Sequence, residues 1–211
     1  MSAQHGDIGI ARIKDVLRGD GEDRAAAAAA RVAELAEREQ LLDVAYASYD
    51  SPLGTGYVAA TERGIVAVAL PNRDPDEFLE KLADGISPRV LELPARLDQA
   101  RRELDQYFAG SRRRFELDLD WTLVPPGFYG RVLRATAKLP FGATKTYAEV
   151  AGEAGNARAY RAAGTALGTN PIPLVVPCHR VLRSGGVLGN YGGGPEMKRF
   201  LLEHEGVIRG D

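Results

Sequence analysis

Cys178 is the only cysteine in this 211-residue chain, and His179 follows it directly. The pair sits in Pro171-Ile-Pro-Leu-Val-Val-Pro-Cys-His-Arg-Val181, where an apolar, strand-like stretch ends at Pro177 and presents a thiol beside an imidazole. A thiolate is far more nucleophilic than a thiol. A neighbouring His or the positive end of a helix can generate one near neutral pH. The chemistry that fits is displacement by sulfur. In a regular strand the two side chains would point to opposite faces, so His179 can serve Cys178 only if the backbone turns after Pro177, with a water bridging the two. Taken alone, a single cysteine reads as a small buried hydrophobe.

The same residue counts exclude other chemistry. One cysteine makes no internal disulfide and no Cys-rich zinc site. His5, His179 and His204 are too dispersed to share a metal, so neither metal nor cofactor is expected. Hydrophobic (45%) and charged (27%) contents are those of an ordinary globular protein. No apolar run approaches the roughly 20 residues of a membrane span, and no signal peptide opens the chain. A cytoplasmic protein with no membrane partner is expected.

Three segments must position the thiol. Residues 1–42 read as a helical extension of unknown role: Ile10, Ile13, Val16 and Leu17 recur at helical spacing, and an Ala-rich run follows from Ala25. This extension is expected to pack on the next domain. Residues 43–124 begin with three short strands separated by turn residues, an antiparallel meander. Helices are expected over 75–84 and 94–109, the second stopped by Gly110. Phe115–Trp121 alternates apolar and polar residues like an edge strand. Nothing in this segment looks catalytic, so it reads as scaffold.

Residues 125–211 begin at Pro125-Pro126-Gly127, with a helix over Phe128–Lys138. Thr146 with Glu149 forms a capping box for a helix through Ala154. After Gly155-Asn156 a second helix runs from about Arg158 to Gly168, making a helix-turn-helix candidate. Residues 125–211 carry 11 Lys/Arg against 6 Asp/Glu, while the rest of the chain carries 16 against 23. A basic part on an acidic protein fits a polyanionic partner such as nucleic acid.

From Arg161 onward the pattern becomes specific. Arg161-Ala-Ala-Gly164, Asn170-Pro-Ile-Pro173, Pro177-Cys-His-Arg-Val181, Gly189-Asn-Tyr-Gly-Gly193 and His204-Glu-Gly206 occur in order. This arrangement resembles the O6-alkylguanine-DNA alkyltransferases, the methylated-DNA–protein-cysteine methyltransferases. The resemblance covers about 43–207, because Ser51-Pro-Leu-Gly54 and Gln106-Tyr-Phe-Ala-Gly110 also fit. It implies an α+β fold: a small N-terminal antiparallel β-sheet domain with helices, RNase H-like, plus a C-terminal helical domain with a winged helix-turn-helix. It also implies a monomer that acts on double-stranded DNA containing O6-alkylguanine.

The resemblance implies a one-shot reaction in which the damaged nucleotide is flipped out and its alkyl group moves irreversibly to Cys178. Extrusion is required because a base inside the duplex is unreachable, and it costs less where pairing is already damaged. By the same resemblance, His179 relays to Glu205, which holds the imidazole in its useful tautomer. Asn170 braces the turn before the active-site strand. Tyr147 contacts the flipped base and donates a proton to it. Arg161 is an arginine finger that fills the vacated gap. Asn190, Tyr191 and Gly192 lie in a loop that closes on the base, with the Gly192 N–H near O6, and the carbonyls of Cys178 and Val181 read the exocyclic amine. Arg131, Arg134, Lys145 and Arg158 are candidate phosphate contacts.

Three departures from the family pattern stand out. Tyr129 and Leu133 replace a Gln and a Trp, Tyr160 stands where a small residue is usual, and the N-terminal zinc ligands of some members are missing. Tyr160 is counted with the DNA contacts. Three other readings compete: a lesion-binding sensor without transfer, a cysteine hydrolase using Cys178, His179 and Glu205, and a plain helix-turn-helix regulator. Sensors of that kind lack the reactive cysteine, and an adjacent Cys–His pair makes a poor hydrolase triad.

Overall fold

The computed structural model describes residues 41–209 and eight isolated positions between 24 and 39. Seven of those eight are helical and all eight are exposed; the rest of residues 1–40, in the extension expected to pack on the next domain, lies outside the described residues. The helix expected around Ile10–Leu17 lies outside the described residues.

The three predicted strands are β1 (Val44–Ser51), β2 (Gly54–Thr61) and β3 (Gly64–Ala69), paired antiparallel. Gly64 has φ +129°, and a Cβ there would meet the Asp118 carbonyl at 2.3 Å, so the β2–β3 turn needs glycine. A short β4 (Val90–Glu92) adds a parallel edge to β1, giving the order β3-β2-β1-β4. The sheet is therefore antiparallel with one parallel edge, reached through α1 (Pro75–Gly85). Asp74 caps that helix by accepting from the Asp76 and Glu77 amides, with Pro75 following it.

The period of two along each strand divides the core. Val44, Ala59 and Ala67 face α1 through Phe78 and Leu82. Their neighbours Ala45, Ala60 and Val68 face a larger core built with α2 (Asp98–Phe108), which presents Ala100, Leu104 and Tyr107. Gly110 follows α2 at φ +73°, as a helix-ending glycine does. The 94–97 part of the expected helix is instead a 3₁₀ turn.

Phe115–Trp121 forms no strand. Its side chains alternate in exposure as far as Leu119, after which Asp120 is buried and accepts from the Thr61 hydroxyl, and the segment meets β3 at a single bridge, Ile65 to Leu119. The stretch before Cys178 is not a strand either. Pro171, Pro173 and Pro177 deny it the amides a ladder needs, and it folds into turns with Leu174 at φ +72°.

The larger core continues into the C-terminal part through α3 (Phe128–Thr136), α4 (Tyr147–Glu153), α5 (Tyr160–Gly168) and α6 (Gly194–His204). Leu133, one of the departures, is buried in that core. A main-chain bond from Val68 to the Pro171 carbonyl (2.8 Å) ties the sheet to the loop carrying Cys178. The two helices α4 and α5 form the expected helix-turn-helix, turning at Gly155 (φ +99°). Two short parallel strands, β5 (Lys145–Thr146) and β6 (Val181–Leu182), set its base beside the cysteine turn.

The seven-residue α4 depends on its cap. The Thr146 hydroxyl accepts from the Glu149 amide while the Glu149 carboxylate accepts from the Thr146 amide. Thr146→Ala is expected to cost about 1 kcal/mol, the usual value of such a cap, measured by urea unfolding.

Candidate active site

Asn170 closes the proline-rich loop from the end of α5. Its carbonyl oxygen accepts from the Ile172 amide (3.0 Å), and its Nδ2 donates to the Val176 carbonyl (2.8 Å) and to Cys178 Sγ (3.2 Å). One side chain thus staples both ends of the loop and touches the sulfur.

After Pro177 the backbone turns, as the His179 argument requires. Residues Cys178–Arg180 form a 3₁₀ turn, with the Arg180 amide donating to the Pro177 carbonyl (3.0 Å). Cys178 is left 7% exposed at the floor of a cleft, while His179 and Arg180 point into the protein. Burial pushes the Cys178 thiol up from its ordinary value. The Asn170 amide and the Lys198 ammonium oppose this without cancelling it.

Glu205, at the end of α6, is almost fully buried and accepts five hydrogen bonds. Oε1 takes His179 Nε2 (2.8 Å), the Tyr107 hydroxyl (2.8 Å) and Arg180 Nη2 (2.9 Å). Oε2 takes Arg180 Nε (2.8 Å) and the Gly142 amide (3.2 Å). Desolvation would raise the Glu205 pKa, but His179 and Arg180 outweigh it and hold the carboxyl well below the usual range. An ionised carboxylate only accepts, so His179 must donate from Nε2 and carry its lone pair on Nδ1. Burial, with help from Arg180 and Lys198, lowers the His179 pKa despite Glu205, keeping the ring neutral. Nδ1 and the Tyr191 hydroxyl are buried without a protein partner, and the two rings lie 6.3 Å apart.

Lys198 is also buried. Its ammonium donates to the Val181 carbonyl (2.7 Å) and lies 6.0 Å from the centre of the Tyr147 ring. Burial brings its pKa down to about 8, although a Cys178 thiolate would draw it back up. Tyr147 is raised by burial and by the Cys178 charge, and so stays protonated. Its hydroxyl donates to the Asn190 carbonyl (3.4 Å). A Cβ on Gly189 would sit 2.7 Å from that hydroxyl, which accounts for one glycine of the loop.

The cleft measures about 890 Å³ and is walled by Tyr147, Tyr160, Arg161, Asn190, Tyr191 and Gly192 around Cys178. A second cavity of about 330 Å³ reaches Cys178 from the α1 side, past Asn170 and Gly192. Arg73 and Asn72 reach the Gly192 carbonyl at 3.4 and 3.5 Å, bringing the sheet segment to the loop.

The structure thus brings together ten of the eleven predicted residues, either in the cleft wall or directly behind it. Val181 is the exception. It does not line the cleft, and its carbonyl accepts from Lys198 with one of its two lone pairs. Three expected phosphate contacts are also engaged internally. Arg131 donates to the Ala154 carbonyl (2.8 Å), Arg134 lies over Trp121 (4.6 Å), and Lys145 pairs with Glu153.

Sequence reasoning missed Arg180, Tyr107, Gly142 and Lys198. For Lys198 a signal existed: it shares the buried stripe of α6 with Leu201, Leu202 and Glu205, and a charge within an apolar stripe needs a reason.

Comparison with known proteins agrees with this geometry. Two family models match: "6-O-methylguanine DNA methyltransferase, ribonuclease-like domain" over residues 44–121 and "6-O-methylguanine DNA methyltransferase, DNA binding domain" over 127–207. The methylated-DNA–protein-cysteine methyltransferase of Methanosarcina acetivorans is 36% identical over 164 residues, covering 76% of this chain and 97% of that protein. The Mus musculus protein of the same name is 37% identical over 180 residues, covering 78% and 82%. Among solved structures, Mycobacterium tuberculosis OGT in complex with DNA superposes with a TM-score of 0.66 at 34% identity, covering 76% of this chain and 92% of that one.

The depressed Glu205 pKa has a sign that can be checked. Its stabilisation is complete above the unfolded carboxylate value of about 4.3 and drains away as pH falls from there through the folded-state value. Glu205→Gln is expected to remove that acid dependence. By leaving Arg180 unpaired in the interior, it also costs about 3–5 kcal/mol. Denaturant titrations at neutral and acid pH measure both effects.

Proposed function

The chain belongs to the 6-O-methylguanine DNA methyltransferase family, and on that premise we propose that Cys178 is the acceptor in a single-turnover DNA repair reaction. The alkyl group of an O6-alkylguanine in double-stranded DNA passes to the protein and stays there. The observation that carries this reading is the sulfur at the floor of an open cleft with room for an everted base, backed by a buried His179–Glu205 pair.

In this reading the Cys178 proton passes through one water to Nδ1 of His179, whose other nitrogen is committed to Glu205. The sulfur attacks the alkyl carbon in line with its bond to O6. As the S–C bond forms, the C–O6 bond breaks, and its electron pair leaves with the guanine. The Tyr147 hydroxyl protonates the departing base, and the tyrosinate so formed lies in the field of Lys198 until the imidazolium proton restores it. Displacement at an sp³ carbon forms no acyl oxyanion, so no oxyanion hole is called for.

Asn170 orients the loop and hydrogen-bonds the sulfur, stabilising the thiolate. Arg161 fills the gap left by the everted nucleotide, and Asn190, Tyr191 and Gly192 close over the base. Residues 125–211 act as the DNA-binding and acceptor domain. Residues 43–124 are the scaffold, and 1–42 are an extension without an assigned role. A free thiol kept as nucleophile suits a reducing compartment, consistent with a cytoplasmic location.

Mass spectrometry after incubation with a duplex containing O6-methylguanine tests the reading. A permanent gain of one methyl on the Cys178 peptide is expected. Cys178→Ala is expected to abolish transfer while still binding DNA, and binding should weaken steeply with salt as phosphate contacts release counterions. Demethylation by that variant would refute the assignment of the nucleophile. For wild type the transfer rate should rise with pH as the thiol ionises. Asn170→Ala removes a donor to the sulfur and is expected to move the midpoint of that pH–rate profile upward.

A further inference from the structure

We infer that Tyr160 is a base-stacking side chain that works with Arg161 during nucleotide eversion; this rests on the proposed reaction at Cys178. The large exposed hydrophobic side chains among the described residues are Val32, Leu35, Leu41, Tyr160 and Val187. Of these, only Tyr160 is aromatic and only Tyr160 stands in the wall of the cleft that holds Cys178. It is 46% exposed at the first position of α5.

The cleft-facing side of α5 explains the placement. Tyr160, Gly164 and Gly168 form one row at a spacing of four, with Arg161 and Thr165 on one flank and the buried Leu167, which also lines the cleft, on the other, while Ala163 and Ala166 are buried away from it. Glycines along that row let the helix backbone approach a duplex closely, and the Tyr160 ring is the one bulky projection, at the row's N-terminal end. The Arg161 guanidinium lies 5.6 Å from the centre of that ring, a cation–π distance. Among the described residues, no acidic side chain lines the cleft. The two side chains therefore form one cation–π unit in the cleft wall, with no acidic lining residue beside it to compete for the guanidinium.

Everting a nucleotide exposes the faces of the bases that flanked it. A guanidinium fills the gap and carries charge but covers little of those faces. A phenol ring beside it supplies the missing aromatic surface, and base stacking of this kind is indifferent to base identity. A ring spent on such a face has no need of burial in the free protein, which accounts for its exposure.

The test compares wild type with Tyr160→Ala, Tyr160→Phe and Tyr160→Leu. The substrates are a duplex carrying O6-methylguanine next to 2-aminopurine and the free O6-methylguanine base, which needs no eversion. Tyr160→Ala is expected to lower the ratio of duplex to free-base transfer rates by about 5- to 160-fold, the worth of one base–aromatic stack. It should also diminish the 2-aminopurine fluorescence change. Tyr160→Phe restores both, and Tyr160→Leu restores neither. An unchanged ratio in Tyr160→Ala, or rescue by Leu equal to that by Phe, overturns the stacking role and leaves the alkyl transfer itself standing. Failure of wild type to take up methyl from either substrate would instead bring down the underlying reaction, and this inference with it.

Discussion

A buried carboxylate organises this molecule. Moving Glu205 out of water costs several kcal/mol before any partner is counted. Five hydrogen bonds from four residues offset that cost: Tyr107 from α2, Gly142 from the loop after α3, and His179 and Arg180 from the cysteine turn. Arg180 supplies the compensating charge in a two-pronged contact, the geometry that suits guanidinium and carboxylate. The turn after Pro177 is what brings His179 and Arg180 to that carboxylate together. The same turn leaves Cys178 facing the other way, into the cleft. The orientation of the nucleophile is thus tied to an ion pair on the far side of the backbone.

The electrostatics around the sulfur are those of a group held in reserve. Burial raises the thiol pKa, and the opposing contributions of Asn170 and Lys198 are built in but not dominant. Neutral His179, with its outer nitrogen free of protein partners, can take a proton without first losing one. A base filling the cleft excludes water and strengthens each of these interactions. Activation of the sulfur therefore belongs to the complex with substrate, which suits a protein that can react only once.

The sheet segment does more for the site than its sequence suggests. Its sequence reads as scaffold, with nothing that looks catalytic. Yet Tyr107 reaches Glu205, a Val68 amide holds the proline-rich loop at Pro171, and Arg73 and Asn72 touch the loop at Gly192. None of these contacts has a local signature. Tyr107 lies 98 positions from its partner Glu205, and nothing in an amphipathic helix marks one buried tyrosine as the donor to a distant carboxylate. The strand-like reading of Phe115–Trp121 and of the stretch before Cys178 erred for a related reason. Alternation and apolar content describe which way side chains face, whereas a ladder also needs a neighbouring edge and free amides.

What the sequence determined by itself was chemistry and short-range geometry. A lone cysteine beside a histidine, the ordered motifs from Arg161 to Gly206, the capping box at Thr146 and the period-two strands are all encoded within a few residues of one another. They point to the candidate thiol, its neighbouring imidazole and the helix-turn-helix without any knowledge of distant contacts. Only the tertiary structure decided which nitrogen of His179 is committed, that Arg180 and Lys198 are buried charges of the site, and that the Val181 carbonyl accepts from Lys198. Those outcomes depend on elements far apart in the chain meeting in a low-dielectric interior. There, a charge is tolerated only where its partners converge in space, and sequence order does not report that convergence.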